Sequence, residues 1–460
     1  MVFQNNVLMG ASGSGTTTYS IDQSIRFNFS DSAYMSRAVG SGGNTKTWTF
    51  SCWFKIGVLG SKRSVSPFLW SCHQSDGNRL QLSFDSGSLG VAGDFLSIYD
   101  GASASTIFRT NRVFRDPSAW YNLVLVSDTS NSIANDRFRV YVNGKRETSF
   151  STFNAPSLNA DLGWNQNGST YYLGDYFAAH GTYGFDGYIA EMVHIDGQAL
   201  DPSSFGETND SGIWIPKDVS GLTFGTKGFY IDGRDSADLG DDESGNGNDF
   251  TSSGLAAHDQ VLDSPTNNWC VMNPLNTHSS ITLSNGNLQS TASAFTGSGA
   301  SILLPSTGKW YAEFKVSALG TEIAIGIMPE DAINGNQNSG NDFVGKFTDS
   351  VAYLYNGQIY KSNSIDNTTS TYTTNDIIGI ALDLDSNSIQ FYKNGSSVGT
   401  AVSLTANKNY FFGCAGVLWF VGWLNGRGVS DIRVSALRVS GAADNLILGR
   451  KNPIKCPNSA

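Results

Sequence analysis

Charge is scarce in this chain: Asp, Glu, Lys and Arg together make up 15% of its 460 residues, and acids outnumber bases to a net charge of −11 with a pI near 4.9. No basic stripe with interleaved aromatics offsets that balance, so nucleic acid and anionic lipid are excluded as partners. No apolar run approaches the roughly 20 residues that a membrane-spanning helix needs, and the first residues lack a basic start followed by an apolar segment. The expectation is a mature chain that begins at Met1 and is made in a cytoplasm. Cysteine is equally sparse. The five are Cys52, Cys72, Cys270, Cys414 and Cys456, an odd number without Cys-x-x-Cys spacing. Four sit in apolar or strand-like text, which reads as buried free thiols rather than a zinc site or a catalytic thiol. A pairing of Cys52 with Cys72 stays open.

Long Glu/Lys/Ala/Leu-rich runs are missing too. What is present instead is Gly at 51 residues, abundant Ser, Thr and Asn, 12% aromatics and a 40% hydrophobic fraction. This is the composition of layered sheets. Two distant passages share one device. Tyr121 to Asp128 is followed by a polar loop and then Arg137 to Gly144, while Ile377 to Asp385 leads through Ser386 to Ser388 into Ile389 to Gly395. Apolar residues recur at every second position, so Ile380, Leu382 and Leu384 face a core, as do Phe138, Val140 and Val142. Asp383, Asp385, Arg137 and Arg139 fall on the wet parity. Asn143-Gly144 and Asn394-Gly395 supply the positive φ that a type I′ turn requires at both centres. Two copies of one hairpin imply two sheet domains, in keeping with a prior of about 150 residues per domain.

Strand text in the first half runs through Ile25 to Phe29, Ala33 to Arg37, Thr47 to Lys55, Pro67 to Trp70, Arg79 to Phe84, Phe95 to Tyr99, Ala119 to Val126, Phe138 to Val142, Thr170 to Asp175 and Gly187 to Ile195, with Gly, Asn, Asp and Ser between. Five passages fall in order: Ser24 to Asn28, Trp48 to Lys55, Trp120 to Val124, Val140 to Gly144 and Phe185 to Asp196. Together they resemble a laminin-G-like, concanavalin A-like jelly roll over residues 21–209, which implies a two-sheet sandwich. Residues 210–268 form a connecting segment packed on it, with further strand text at Gly228 to Asp232. Pro265 and the asparagines after it mark a boundary. Gly308 to Val316, Ile323 to Ile327, Ser350 to Tyr355, Asn375 to Asp385 and Ile389 to Gly395 then reproduce the pattern of a SPRY domain over residues 269–428. The chain departs from that pattern at Val421 to Arg427, which puts the last strand in question. The fold class is therefore all-β, two antiparallel sandwiches in tandem, with an N-terminal arm at 1–20 and a C-terminal tail at 429–460. The arm carries Phe3, Val7, Leu8 and Met9, which suit either a disordered terminus or an anchor that orders on a partner. The tail is basic and suits docking on an acidic neighbour.

Catalytic patterns are lacking. The paired-acid signature of the glucanases does not occur; the nearest acids are Glu191 with Asp196, and Glu313 alone. Five residues put the first pair on opposite faces of a regular strand. The histidines, His73, His180, His194, His258 and His278, have no Gly-x-Ser-x-Gly elbow or Cys/His constellation. The reading is a protein without catalytic activity. Binding fits better, because sandwich loops display contact residues on a rigid scaffold. Tyr176, Phe177, His180 and Tyr183 form an aromatic loop between two strands, suited to stacking on sugar rings or to finishing a core. Tyr353, Tyr355, Tyr360 and Tyr372 raise the same choice in the second domain. The oxygen-rich run with Asp241, Asp242, Asn246, Asn248 and Asp249 reads either as a solvated turn or as a calcium site, and it lacks the closing Glu of an EF-hand. No other cofactor is implied.

The pairing of these two domains behind a Met-Val-Phe-Gln-Asn-Asn arm is similar to proteins of tailed bacteriophages. That resemblance implies a virion surface protein, a tail fibre or capsid decoration assembled in the host cytoplasm. Its implied partners are other virion proteins and a host-surface glycan, with no nucleic acid and no membrane, and it is expected to be a homo-oligomer. The alternative is a free carbohydrate-binding or carbohydrate-cleaving protein.

Overall fold

The computed structural model describes residues 19–60, 63–85, 93–293, 295–319, 322–333, 343–426, 439–441 and 444–446. Phe3, Val7, Leu8, Met9, Cys456 and most of the tail lie outside them. The chain divides into two units, Met1–Asn268 and Trp269–Ala460. Among the described residues there is no α-helix, only short 3-10 turns between strands.

Each Asn-Gly dipeptide closes a hairpin. Asn143 and Gly144 take φ of 48° and 72°, and Asn394 and Gly395 take 49° and 82°, so Val142 pairs with Lys145 and Lys393 with Ser396 across two-residue turns. Phe138, Val140 and Val142 lie in the core of the first unit. Ile380, Leu382 and Leu384 are buried in the second.

Among the described residues the first unit has a short two-stranded sheet, Gly206–Thr208 with Trp214–Pro216, and two eight-stranded antiparallel sheets. One centres on Tyr121–Asp128, Thr47–Ile56, Gly187–Asp196 and Ser24–Phe27; the other runs through Ser105–Val113, Phe95–Asp100, Asn78–Asp85, Phe68–Ser75, Thr170–Leu173 and Tyr34–Ala38. Their facing sides share one aromatic-rich core containing Trp48, Phe50, Trp70, Trp164 and Tyr171. The strand Ser105–Val113 had no clear alternation to reveal it, since Arg109, Thr110, Asn111 and Arg112 follow one another. Cys52, Cys72, Cys270 and Cys414 are buried free thiols, so the open Cys52–Cys72 pairing is corrected to two separate core residues.

Residues 197–268 cover the outer side of the first sheet. Val124, Val126, Val193 and Ile195 point outward there and pack under Phe205, Val219, Phe224 and Tyr230. Further along, the cover is ionic. Lys55 Nζ lies 2.8 Å from Asp263 and 2.8 Å from Asn268 Oδ1, Trp120 Nε1 donates to Asp263 at 3.0 Å, and Arg26 pairs with Asp259 at 3.0 Å. Lys55 and Asp263 are 0% and 3% exposed. These charges replace water with one another, which is how a sheet tolerates Lys and Arg on a covered face. The same segment adds strands to both sheets: Phe229–Ile231 pairs with Gly187–Asp196, Thr251–Ser253 with Tyr34–Ala38, and Gln260–Val261 with Ser24–Phe27.

Among the described residues the second unit has a two-stranded sheet, Val439–Gly441 with Asp444–Leu446, and two seven-stranded antiparallel sheets. One has Tyr410–Ala415, Ala324–Pro329 and Val351–Leu354 at its centre; the other has Val417–Gly426, Lys309–Ala318, Ile377–Asp383 and Ser388–Lys393. As far as Gly426, the stretch that departs from the SPRY pattern is a strand. Val417–Gly426 lies between Gln289–Ala292 and Lys309–Ala318, with a register shift on each side of the Phe314–Val316 pairing.

Candidate functional site

Gly174 ends the strand Thr170–Leu173 with φ of 80°, and the Phe27 ring lies where a Cβ would be, so only glycine turns the chain here. Loop 175–184 then folds back along the strand Phe68–Ser75. Phe68 N–H donates to Tyr183 O at 2.9 Å, Ser71 Oγ donates to Asp175 O at 3.1 Å, and Phe185 N–H returns to Gly174 O at 2.7 Å. The second sheet's outer face is thereby furnished with rings.

Two stacks result. His180 lies parallel to Tyr34, centroids 4.2 Å apart, and 5.5 Å from Tyr172. Its Nδ1 sits 2.9 Å from Asp175, a fully buried carboxylate. Burial raises the Asp175 pKa, while the Tyr176 N–H and His180 oppose the rise. The second stack places Phe177 flat on His73 at 3.5 Å and joins Tyr176 at 4.1 Å, with Phe68 and Tyr183 behind. Burial lowers the His73 pKa, with Asp76 pulling it back. Tyr34, Tyr172, His73, Tyr176, Phe177 and Tyr183 are half-buried and His180 is exposed. Polar groups lie beside the second stack: Asp76 is 4.0 Å from His73 Nε2 and pairs with Arg79, whose guanidinium lies 5.3 Å from the Tyr99 ring, and Gln74, next to His73 in its strand, bonds Asn167 O and Asn78. Flat apolar faces beside fixed donors and acceptors are what a sugar ring requires. The sequence pointed to Tyr176, Phe177, His180 and Tyr183; it missed Tyr34, His73 and Tyr172, which strand pairing delivers to the same face.

The other candidates divide. Tyr353 and Tyr372 are 0% and 2% exposed, and the one Tyr372 hydroxyl proton is shared between Ile323 O and Tyr353 O, while Tyr353 donates to Ser370 O. They are core residues whose hydroxyls satisfy main-chain carbonyls, which corrects the binding role. Tyr355 is half-buried; Tyr360 packs edge-on to Phe343 at 5.7 Å. The calcium alternative is likewise corrected. Asp242 uses both oxygens on the N–H groups of Tyr230, Ser244 and Asn248 and the Ser244 hydroxyl; Asp249 accepts from Asp242 N–H; Asn246 and Asn248 turn their amides to Gly225, Thr226 and Gly228 carbonyls. With Asp241 exposed beside them, these oxygens close a turn and do not converge on an ion.

Asp196 accepts N–H bonds from Asn44 and Lys227 and lies apart from Glu191, which lines a cleft on the covered side of the first sheet. Glu313 accepts the Tyr311 hydroxyl at 2.8 Å.

Residues 29–203 match the concanavalin A-like lectin/glucanases superfamily, and residues 309–422 match the SPRY domain. The chain carries the two in tandem. The aromatic face belongs to the concanavalin A-like domain; Tyr353, Tyr355, Tyr360 and Tyr372 belong to the SPRY domain. No curated protein matches the chain. Among solved structures, a Bacteroides ovatus protein named for carbohydrate binding is 15% identical over 52% of this chain and 60% of its own, with a TM-score of 0.35. A pentraxin of Limulus polyphemus is 16% identical over 39% and 78%, TM-score 0.28. A human SPRY domain is 20% identical over 31% and 94%, TM-score 0.26. Both domains are binding-type folds.

Proposed function

We propose that the chain is a non-enzymatic glycan-binding protein whose concanavalin A-like domain presents the aromatic face of its second sheet to a sugar. The observation that carries this reading is the pair of stacks, Tyr34 with His180 and His73 with Phe177, held half-open, with Asp76 beside His73. The acids that catalysis would need are dispersed: Glu191 and Asp196 have separate partners on opposite sides of their strand. A glycan array with the full chain tests the binding. Hits that weaken at least tenfold in His73→Ala/Phe177→Ala support it; a silent array, or unchanged hits in the variant, overturns it. Release of reducing sugar that disappears in Glu191→Gln or Glu313→Gln would overturn the absence of catalysis.

The resemblance of this domain pair to tailed-phage proteins supports a finer proposal. The chain is a virion surface component, a tail fibre or capsid decoration, that assembles in the host cytoplasm as a homo-oligomer among other virion proteins. Mass spectrometry of purified particles tests it, and a chain that never enters particles is instead the free carbohydrate-binding protein.

A further inference from the structure

The strand Gly187–Asp196 does not run straight. Ala190 lies opposite Trp53 and Val193 opposite Ser51, so Glu191 and Met192 share the single partner position of Cys52. This is a β-bulge, and Glu191 adopts φ of 47° in it. The extra residue lets Ile189 and Met192, three apart, both reach the inter-sheet core. Glu191 is thereby turned into a cleft of about 240 Å³ on the covered side.

Glu191 is only 4% exposed. Its Oε1 accepts two phenol hydroxyls, from Tyr19 and, at 3.0 Å, from Tyr230. Its Oε2 has no hydrogen-bond partner among the described residues. That oxygen is not sealed from solvent, so a ligand in the cleft can bond it. Burial pushes the Glu191 pKa up to about 7, with Asp232 and Asp218 adding to the rise and the two tyrosines opposing it. Both phenols are themselves pushed upward by burial and by Glu191, so they stay donors. With Oε1 occupied as an acceptor, a proton on the carboxyl sits on Oε2 and can be donated into the cleft.

Around that atom the cleft mixes acceptors and donors: Asp218 and Asp232 beside Arg234, Ser20 and Ser220. Sugar hydroxyls both give and take hydrogen bonds, which suits such a lining. Anions do not suit it, because among the described residues Asp22, Asp218 and Asp232 face one cation, Arg234, itself paired with Asp232. The volume falls below the ~300–1,000 Å³ of pockets for drug-sized ligands, so one ring fits rather than an extended chain.

We propose that this cleft is a second glycan site, taking one neutral sugar unit with a ligand hydroxyl on Glu191 Oε2. The inference shares with the reading above the premise of glycan binding, but it concerns the other sheet. Ligand-observed NMR on the full chain at pH 6, with the methyl glycosides of glucose, galactose, mannose and N-acetylglucosamine and with glucuronate as anionic control, tests it. At least one neutral glycoside should saturate the protein and weaken tenfold or more in Glu191→Ala and in Ser220→Trp, which fills the cleft from an exposed position and leaves the bulge intact. The same ligand should be unaffected by His73→Ala/Phe177→Ala, and glucuronate should bind at least tenfold more weakly. No binding by any neutral glycoside, unchanged binding in Ser220→Trp, or loss only in the aromatic variant would overturn the proposal; that last result would leave the aromatic site standing.

Discussion

Replacing Asp263 by alanine tests whether the ionic cover over the first sheet holds the concanavalin A-like domain together. Asp263 receives Lys55 Nζ at 2.8 Å on one oxygen and the Trp120 indole at 3.0 Å on the other. With Lys55 fully buried, removing the carboxylate takes away its counter-charge and costs about 3–5 kcal/mol, Asn268 Oδ1 remaining 2.8 Å from the ammonium. The orphaned indole N–H adds about 1 kcal/mol. A loss of roughly 5 kcal/mol lowers the urea midpoint of the domain's unfolding by at least about 1.5 M, taking an m-value of about 1–3 kcal/mol/M. Replacing both partners, as Lys55→Met with Asp263→Leu, removes charge and counter-charge together and should recover most of the loss, leaving about 1–2 kcal/mol for the Trp120 indole and the Asn268 carbonyl that lose their partners. Equilibrium unfolding in urea followed by tryptophan fluorescence makes the comparison. An Asp263→Ala loss under about 1 kcal/mol, or a double variant as unstable as the single one, would refute the reasoning.

Glu191→Gln should change how stability depends on pH. A carboxyl raised from 4.5 to about 7 keeps its proton in the folded state after the unfolded chain has released it, so wild-type stability falls as pH rises through that window, by roughly 3 kcal/mol. The variant lacks that contribution, and urea midpoints at pH 5 and pH 8 should show it gaining on wild type as pH rises; parallel profiles contradict this. Gly144→Ala puts a Cβ 2.4 Å from the Trp214 ring at φ of 72°, and thermal unfolding should show a loss of about 1–3 kcal/mol. In native buffer, a thiol reagent should leave Cys52, Cys72, Cys270 and Cys414 unmodified, since all four are buried and burial pushes the Cys72 and Cys414 thiols up to about 12. Peptide mapping that finds label on any of the four contradicts it.

How much could be read from the letters depended on whether local chemistry settles the conformation. Asn143-Gly144 and Asn394-Gly395 were legible because the turn type and the two-residue alternation agree over about ten residues. The edge-side strand Ser105–Val113 was not, because its Arg and Thr residues are matched to a partner strand rather than to a core face. Tyr176 and Tyr353 read alike in sequence. Only the fold shows that one lies in a loop above the sheet while the other bonds a main-chain carbonyl inside the sandwich. Asp241 to Asp249 has the composition of an ion site, yet the Asp242 oxygens and one of Asp249 accept main-chain N–H bonds that close the turn. Glu191 was hidden by the bulge: from Tyr188 to Ile195 the alternation slips by one residue, and that slip was the signal available. Tyr34, His73 and Tyr172 come from three separate strands, and only their pairing register makes them neighbours.

The central claim is that the outer aromatic face of the second sheet binds sugar without catalysing its cleavage. The most direct measurement is titration of the best array glycan into wild type and into His73→Ala/Phe177→Ala, with reducing ends assayed in the same samples. Saturable binding in wild type, at least tenfold weaker in the variant and with no sugar released from either, is the expected result. Equal affinity in the two proteins, or release of reducing sugar by wild type, would contradict it.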